Sequence, residues 1–198
     1  MKKLLVMGLA LAFVLTMGVS VLANPAYIDS HEYWTNDIRH LAVAEIDQNM
    51  NFTADSSNAT IYQWGKNYAG IGQYGTDLTA VITQDAIESY VRISQGWDGI
   101  GNEAYVDQFG DTNRVRIRQR GEDNLINVNQ NEDTYLNYAR IYQQGSDNEI
   151  NVEQFNGDRN NTLVIQDSAP TAAAFAEVLQ GNGDDNTAVI FQNMTSGF

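Results

Sequence analysis

Gln108 to Gln130, QFGDTNRVRIRQRGEDNLINVNQ, decides the fold. It is one phrase written twice, 11 residues apart: Gln, Gly two later, Asn five later, apolar residues at seven and nine, Gln at eleven. Gln108, Gly110, Asn113, Val115, Ile117 and Gln119 make the first copy, and Gln119, Gly121, Asn124, Ile126, Val128 and Gln130 the second. Asn, both apolar residues and the closing Gln share one parity, so a strand carries them all on one face. The Gly- and Asp/Glu-rich stretch before each strand is turn chemistry. The unit is therefore strand, tight turn, strand.

The phrase runs outward in both directions. Strand-closing glutamines fall at Gln63, Gln73, Gln84, Gln95, Gln108, Gln119, Gln130, Gln143, Gln154, Gln166, Gln180 and Gln192, with gaps of 10 to 14 residues. Two positions before every one of them stands Ile or Val. Six before, Asn recurs at Asn67, Asn102, Asn113, Asn124, Asn137, Asn148, Asn160 and Asn186. One side-chain identity held at so many near-regular positions is the signature of a repeat architecture. A slower period of 35 residues links Gln73, Gln108 and Gln143.

The chain of 198 residues opens with Met1-Lys2-Lys3, an apolar run from Leu4 to about Val14, and small residues up to Ala23. That order is expected of a signal peptide over residues 1–23, cleaved after Ala23. Removing Lys2 and Lys3 takes the net charge from −14 to −16. So acidic a chain speaks against nonspecific nucleic-acid binding, whose affinity comes from basic patches. There is no Cys to form a staple, so stability must come from the repetition itself. Residues 24–56 fit the phrase poorly, with Ala44, Ile46 and Gln48 as a degenerate first strand, and the repeat domain is expected over 57–198.

One-sided strands of about six residues cannot bury their apolar face alone. Two consecutive strands folded onto each other form an arch with Ile, Val and Ala inside. Stacked about 4.8 Å apart, such arches pair each strand in parallel with its counterpart in the next. The expected fold is an all-β solenoid of strand-turn-strand arches, about six rungs, parallel and in register. Its inward Gln residues, with Asn113, Asn124, Asn148 and Asn186, would lie over one another as structural ladders. The outward residues then sort by charge: Arg92, Arg114, Arg116, Arg118 and Arg140 join Tyr68, Tyr90, Tyr138 and Tyr142 on one face, and Glu103, Asp107, Glu149, Glu153 and Glu177 share the other. The arginines are the candidate surface-binding residues, for lateral contact or an anionic polysaccharide.

The glutamines with their following Gly and Asn, best seen at Gln108–Gln130 and at Gln143, Gly145, Asn148, Ile150, Val152 and Gln154, resemble the curlin repeat of curli fibre subunits. The resemblance covers about Ala59 to Gln192. It implies a secreted structural subunit of an extracellular functional amyloid, a cell-surface fimbrium serving adhesion and biofilm matrix. Its partners would be further copies of itself, a second curlin-type subunit, and outer-membrane secretion and accessory proteins. It implies no cofactor, and residues 24–56 would carry the export signal. Departures occur at Asp85, Ala86 and Ser89, at Pro170 and at Ala172 to Ala174. They point to a minor or nucleating subunit rather than the major one. A stack of arches also leaves open backbone edges. Asn186 to Gln192 fits the phrase and little follows it, so growth is expected at that edge.

Three other architectures compete. A membrane barrel would have to turn the Gln and Asn rows toward lipid with its apolar rows. A calcium β-roll could use the acidic turns at Asp111, Asp123 and Asp184, but the nonapeptide pattern is missing. An enzyme would need a catalytic constellation. His31 and His40 lie outside the repeat, and no nucleophile triad, phosphate loop or redox Cys pattern is present. A non-polymerising secreted solenoid that binds anionic polysaccharide is the remaining alternative.

Overall fold

The computed structural model describes residues 27–31, 43–48, 57–131, 135–168 and 173–194. The expected signal segment, His40, residues 55–56, Pro170 and Ala172 lie outside the described residues. Twelve strands follow in order: β1 (Tyr27–His31), β2 (Val43–Gln48), β3 (Asn58–Thr76), β4 (Thr79–Ile100), β5 (Glu103–Phe109), β6 (Arg114–Glu122), β7 (Leu125–Gln130), β8 (Tyr138–Ser146), β9 (Glu149–Phe155), β10 (Asn161–Ser168), β11 (Phe175–Gly181) and β12 (Thr187–Met194). Every pairing between them is parallel.

Consecutive short strands do not pair; each pairs with the strand two further on, in the order β11-β9-β7-β5-β4-β6-β8-β10-β12. Two parallel stacks result, joined through β4. The strands β3 and β4 are each a whole arch, their two arms running on through the bend. With β5–β6, β7–β8, β9–β10 and β11–β12 they make six arches. A further layer lies beneath, where β1 pairs the first arm of β3 and β2 the second. This is a β-solenoid with parallel rungs, and it excludes an antiparallel barrel of consecutive strands.

The register follows from the repeat. Ile61 lies over Ile82, then Val106, Val128, Val152 and Val178; Ile71 lies over Ile93, Ile117, Ile141, Val164 and Ile190. All but Ile190 are buried. Each fully buried branched side chain contributes about 1.5–3 kcal/mol. A slip of one residue would turn that whole set outward, so the register is strongly specified.

The bends have a fixed geometry. The residue just before most of the turn asparagines is left-handed, for example Thr112 at φ 58°, Asp123 at φ 51°, Asp147 at φ 55° and Asp185 at φ 60°. The short polar side chain of Asp tolerates that region better than most. Gly121, at φ 96°, answers a second demand. A Cβ placed there would collide with the carbonyl oxygen of Gly145 in the next rung.

Candidate functional site

Two files of glutamine amides run the height of the solenoid. In the first, Gln63 donates to Gln84 (3.0 Å), Gln84 to Gln108 (2.7 Å), Gln108 to Gln130 (2.8 Å), Gln130 to Gln154 (2.6 Å) and Gln154 to Gln180 (2.8 Å). In the second, Gln48 donates to Gln73 (2.7 Å), and the file continues through Gln95 (3.0 Å), Gln119 (2.9 Å), Gln143 (3.0 Å), Gln166 (2.9 Å) and Gln192 (2.8 Å). Every bond is Nε2 to Oε1 and points the same way along the stack. The amides share a face with the buried Ile and Val, and those from Gln63 to Gln166 are essentially without exposure.

A primary amide has two N–H donors. The second donor crosses the arch. Gln73 Nε2 reaches Asn58 O (3.0 Å), Gln95 reaches Thr79 O (2.9 Å), Gln119 reaches Glu103 O (3.0 Å) and Gln192 reaches Phe175 O (2.9 Å). Glutamines of the other stack reach back one layer, as Gln63 does to Val43 O at 3.4 Å. One side chain thus ties its rung upward and its two arms together. That explains why Gln, rather than Asn or Ser, is kept at the strand end.

The turn asparagines form two more files. Asn113 Oδ1 accepts from Asn137 N (2.9 Å), Asn137 Oδ1 from Asn160 N (2.8 Å) and Asn160 Oδ1 from Asn186 N (3.2 Å). At the other bend Asn102 Oδ1 accepts from Asn124 N (3.1 Å), Asn124 Oδ1 from Asn148 N (3.1 Å) and Asn148 Oδ1 from Ala174 N (3.0 Å). Each carbonyl thereby satisfies a buried backbone N–H that the bend would otherwise orphan. Two serines do the same work, one of them Ser89, which the sequence marks as a departure from the phrase. Ser57 Oγ accepts from Leu78 N (3.0 Å) and Ser89 Oγ from Asn113 N (3.1 Å). Their signal was positional: both stand six before a ladder Gln. Gln48 belongs to the ladder as well.

The outward faces differ in charge. On one stack Arg92, Arg116 and Arg140 share a column, flanked by Tyr90, Arg114 and Tyr138 on one side and Ser94, Arg118 and Tyr142 on the other. The Arg114 guanidinium lies 5.3 Å from the Tyr90 ring centre and that of Arg118 5.9 Å from Tyr142. Tyr68 stacks on Tyr90 with centres 4.8 Å apart. All five arginines are exposed. The opposite stack carries Glu103, Asp107, Glu149, Glu153 and Glu177 around a shallow open groove lined by Tyr105, Asn127 and Asn151. Among the described residues, no group of three or more His, Cys, Asp or Glu is placed to hold a metal, and no helix is long and apolar enough to cross a membrane.

Residues 121–155, from the bend at Gly121 through β7, β8 and β9, match the family model of the curlin associated repeat. That segment is similar to the curlin repeat. In this fold the curlin repeat is one and a half arches, and its Gln130, Gln143 and Gln154 are ladder positions. No curated protein and no solved structure matches the chain. The curlin family is a structural, not an enzymatic, family, and it is the family of extracellular curli fibres.

Proposed function

We propose that this chain is a structural subunit of a curli-type extracellular amyloid and that it grows end to end, arch upon arch. One observation carries the reading: the amide ladder is open at its C-terminal end, where Gln180 and Gln192 donate only to backbone carbonyls within the solenoid. Among the described residues β11 and β12 are each paired on one side alone. An open parallel edge with an unfinished amide file is a template for another copy. The C-terminal layer of one chain offers amide donors to the N-terminal layer of the next, where Gln48 begins the second file.

The departures from the repeat favour the minor or nucleating role. Leu78 and Ala174 stand where a turn Asn is expected, so the file is broken there, and a less regular stack lengthens more slowly. A major-subunit role is the alternative. Secretion through an outer-membrane apparatus, with residues 24–56 as export signal after removal of 1–23, and a place in an adhesive biofilm fimbrium complete the proposal. The test is growth kinetics. A bulky charged domain fused after Phe198 should suppress thioflavin-positive fibre formation, and the same domain fused at the N-terminus of the mature chain should suppress it less. Unchanged kinetics for the C-terminal fusion would overturn the polarity. Amorphous or monomeric wild-type protein would overturn the fibre reading.

A further inference from the structure

We propose that the arginine face is a docking surface for the acidic face of a second copy of this chain, so that solenoids associate side by side. Five guanidiniums, Arg92, Arg114, Arg116, Arg118 and Arg140, stand exposed on three consecutive rungs. No ion pair joins any of them to a carboxylate among the described residues; the one described pair is Arg159 with Asp185. The segments 90–95, 114–119 and 138–143 that carry them contain no acid. On the other stack, segments 103–108, 125–130, 149–154 and 175–180 contain five acids and no Lys or Arg. The core lies between the two stacks, so the two charge sets face opposite ways.

The spacing of the two faces is commensurate because both belong to one repeat. Arg114 and Arg118 are four residues apart on β6, Glu103 and Asp107 four apart on β5, and Glu149 and Glu153 four apart on β9. At about 3.3 Å per residue each pair spans roughly 13 Å along its strand. Across the strands both faces repeat at the same rung spacing of about 4.8 Å. Outer arginines therefore meet outer carboxylates together, and the column Arg92, Arg116, Arg140 meets the column Tyr105, Asn127, Asn151, Glu177. Tyr90 and Tyr142 hold Arg114 and Arg118 under their rings, which limits their freedom before docking.

The contact joins unlike faces, so it does not close on itself. A dimer of like faces would set guanidinium against guanidinium. The arrangement gives open lateral arrays, sheets or bundles. Each exposed pair is individually weak. Repetition along a stack makes the sum effective, as linked sites raise avidity. The proposal is independent of end-on growth, because single solenoids have the same two faces.

Charge reversal tests it on the full mature chain. One variant carries Arg92→Glu, Arg114→Glu, Arg116→Glu, Arg118→Glu and Arg140→Glu, and another carries Glu103→Lys, Asp107→Lys, Glu149→Lys, Glu153→Lys and Glu177→Lys. Each alone should form thioflavin-positive single filaments that do not bundle in electron micrographs. Mixing the two preformed filaments should restore bundling, since one now has two acidic faces and the other two basic faces. Wild-type bundles should fall apart at about 0.5 M NaCl, where the screening length is about 4 Å. A neutral set, with Gln in place of Arg92, Arg114, Arg116, Arg118 and Arg140, keeps the test valid should a reversed variant misfold, and it too should lose bundling. Should wild type form no filaments, the end-on reading fails separately. Sedimentation of soluble chains then reads the lateral contact, with salt-sensitive association expected for wild type and for the mixed variants only. Bundling unchanged in the reversed or neutral variants overturns the proposal. So does bundling that survives salt, or bundling that appears only when polygalacturonate is added.

Discussion

Gln63 donates its amide to Gln84 at 3.0 Å, yet its own Oε1 is buried and receives nothing. Every interior ladder glutamine both gives and receives. The register puts Ser30 of β1 opposite Gln63, where the rest of the file has Gln. A serine carries no amide to donate along the stack. Ser30→Gln supplies one. It should stabilise the N-terminal layer by about 1 kcal/mol, the net value of a satisfied hydrogen bond. Amide hydrogen exchange over residues 60–64 reads this directly. Exchange as fast as in wild type would mean that β1 does not complete the ladder.

Cutting the ladder in its middle has the opposite sign. Gln119→Leu leaves the Gln95 amide without its acceptor and Gln143 Oε1 without its donor, and Asn124 O and Glu103 O lose a donor too. Each buried group left unpaired costs about 1–3 kcal/mol. The shape of Leu is close to that of Gln, so little of the loss is packing. Urea unfolding should show a loss of about 2–5 kcal/mol. Gln192→Leu, at the half-buried last rung, should cost under about 1 kcal/mol by the same reasoning. Equal losses at both sites would show that the amides act as spacers rather than as bonded files.

Much of this was legible because two periods coincide. The alternation of Ile and Val with charged residues gives the strand, and the recurring Gln at its end gives the rung. Together they place Gln119 under Gln143 without any structure. The joined arms of β3 and β4 were not legible, because the phrase lapses at Asp85 and Ala86 while the backbone pairing runs on through Trp64↔Asp85 and Gly65↔Ala86. Nor was the role of Ser57 and Ser89, whose hydroxyls do an asparagine's work from positions where the phrase has no Asn. The Arg159–Asp185 clamp was invisible for another reason. Its partners are 26 residues apart in loops of unequal length, so no fixed spacing marks them.

Glycine positions separate two kinds of demand. Gly121 has φ 96° and its absent Cβ faces the Gly145 carbonyl. Gly72 lies outside the left-handed region, and a Cβ there would meet Tyr74 Cε2 at an ordinary 3.5 Å. Gly121→Ala should therefore cost about 1–3 kcal/mol in strain, with the rung above displaced as well. Gly72→Ala should be neutral or slightly stabilising, by up to about 1 kcal/mol through the unfolded chain. Thermal unfolding of the two variants side by side is the measurement. A tolerated Gly121→Ala would mean that neighbouring rungs are further apart than the structure has them.

Acid and alkali should attack different ends of the stack. At the C-terminal end, Arg159 Nε meets Asp185 Oδ1 at 2.6 Å and Nη2 meets Oδ2 at 2.9 Å, linking the bends of the last two arches. That hydrogen-bonded guanidinium holds the Asp185 carboxyl below its ordinary value. A depressed carboxyl contributes stability above the unfolded value of about 3.9 and loses it as pH falls through the lower folded one. At the N-terminal end, Tyr74 donates to Asp47 Oδ2 at 2.7 Å and Tyr68 to Glu45 Oε2 at 3.0 Å, fixing β2 to β3. The bond to Asp47 raises the Tyr74 phenol first, and burial raises that of Tyr68 first. A raised phenol contributes stability below the unfolded value of about 10 and loses it as pH climbs through the higher folded one. Hydrogen exchange should therefore show β11–β12 loosening first below about pH 4 and β2 loosening first above about pH 10. Asp185→Asn should abolish the acid component alone, and Tyr68→Phe with Tyr74→Phe the alkaline component alone. If both ends loosened together at either extreme, the stack would unfold as one unit and the local contacts would not set its pH limits.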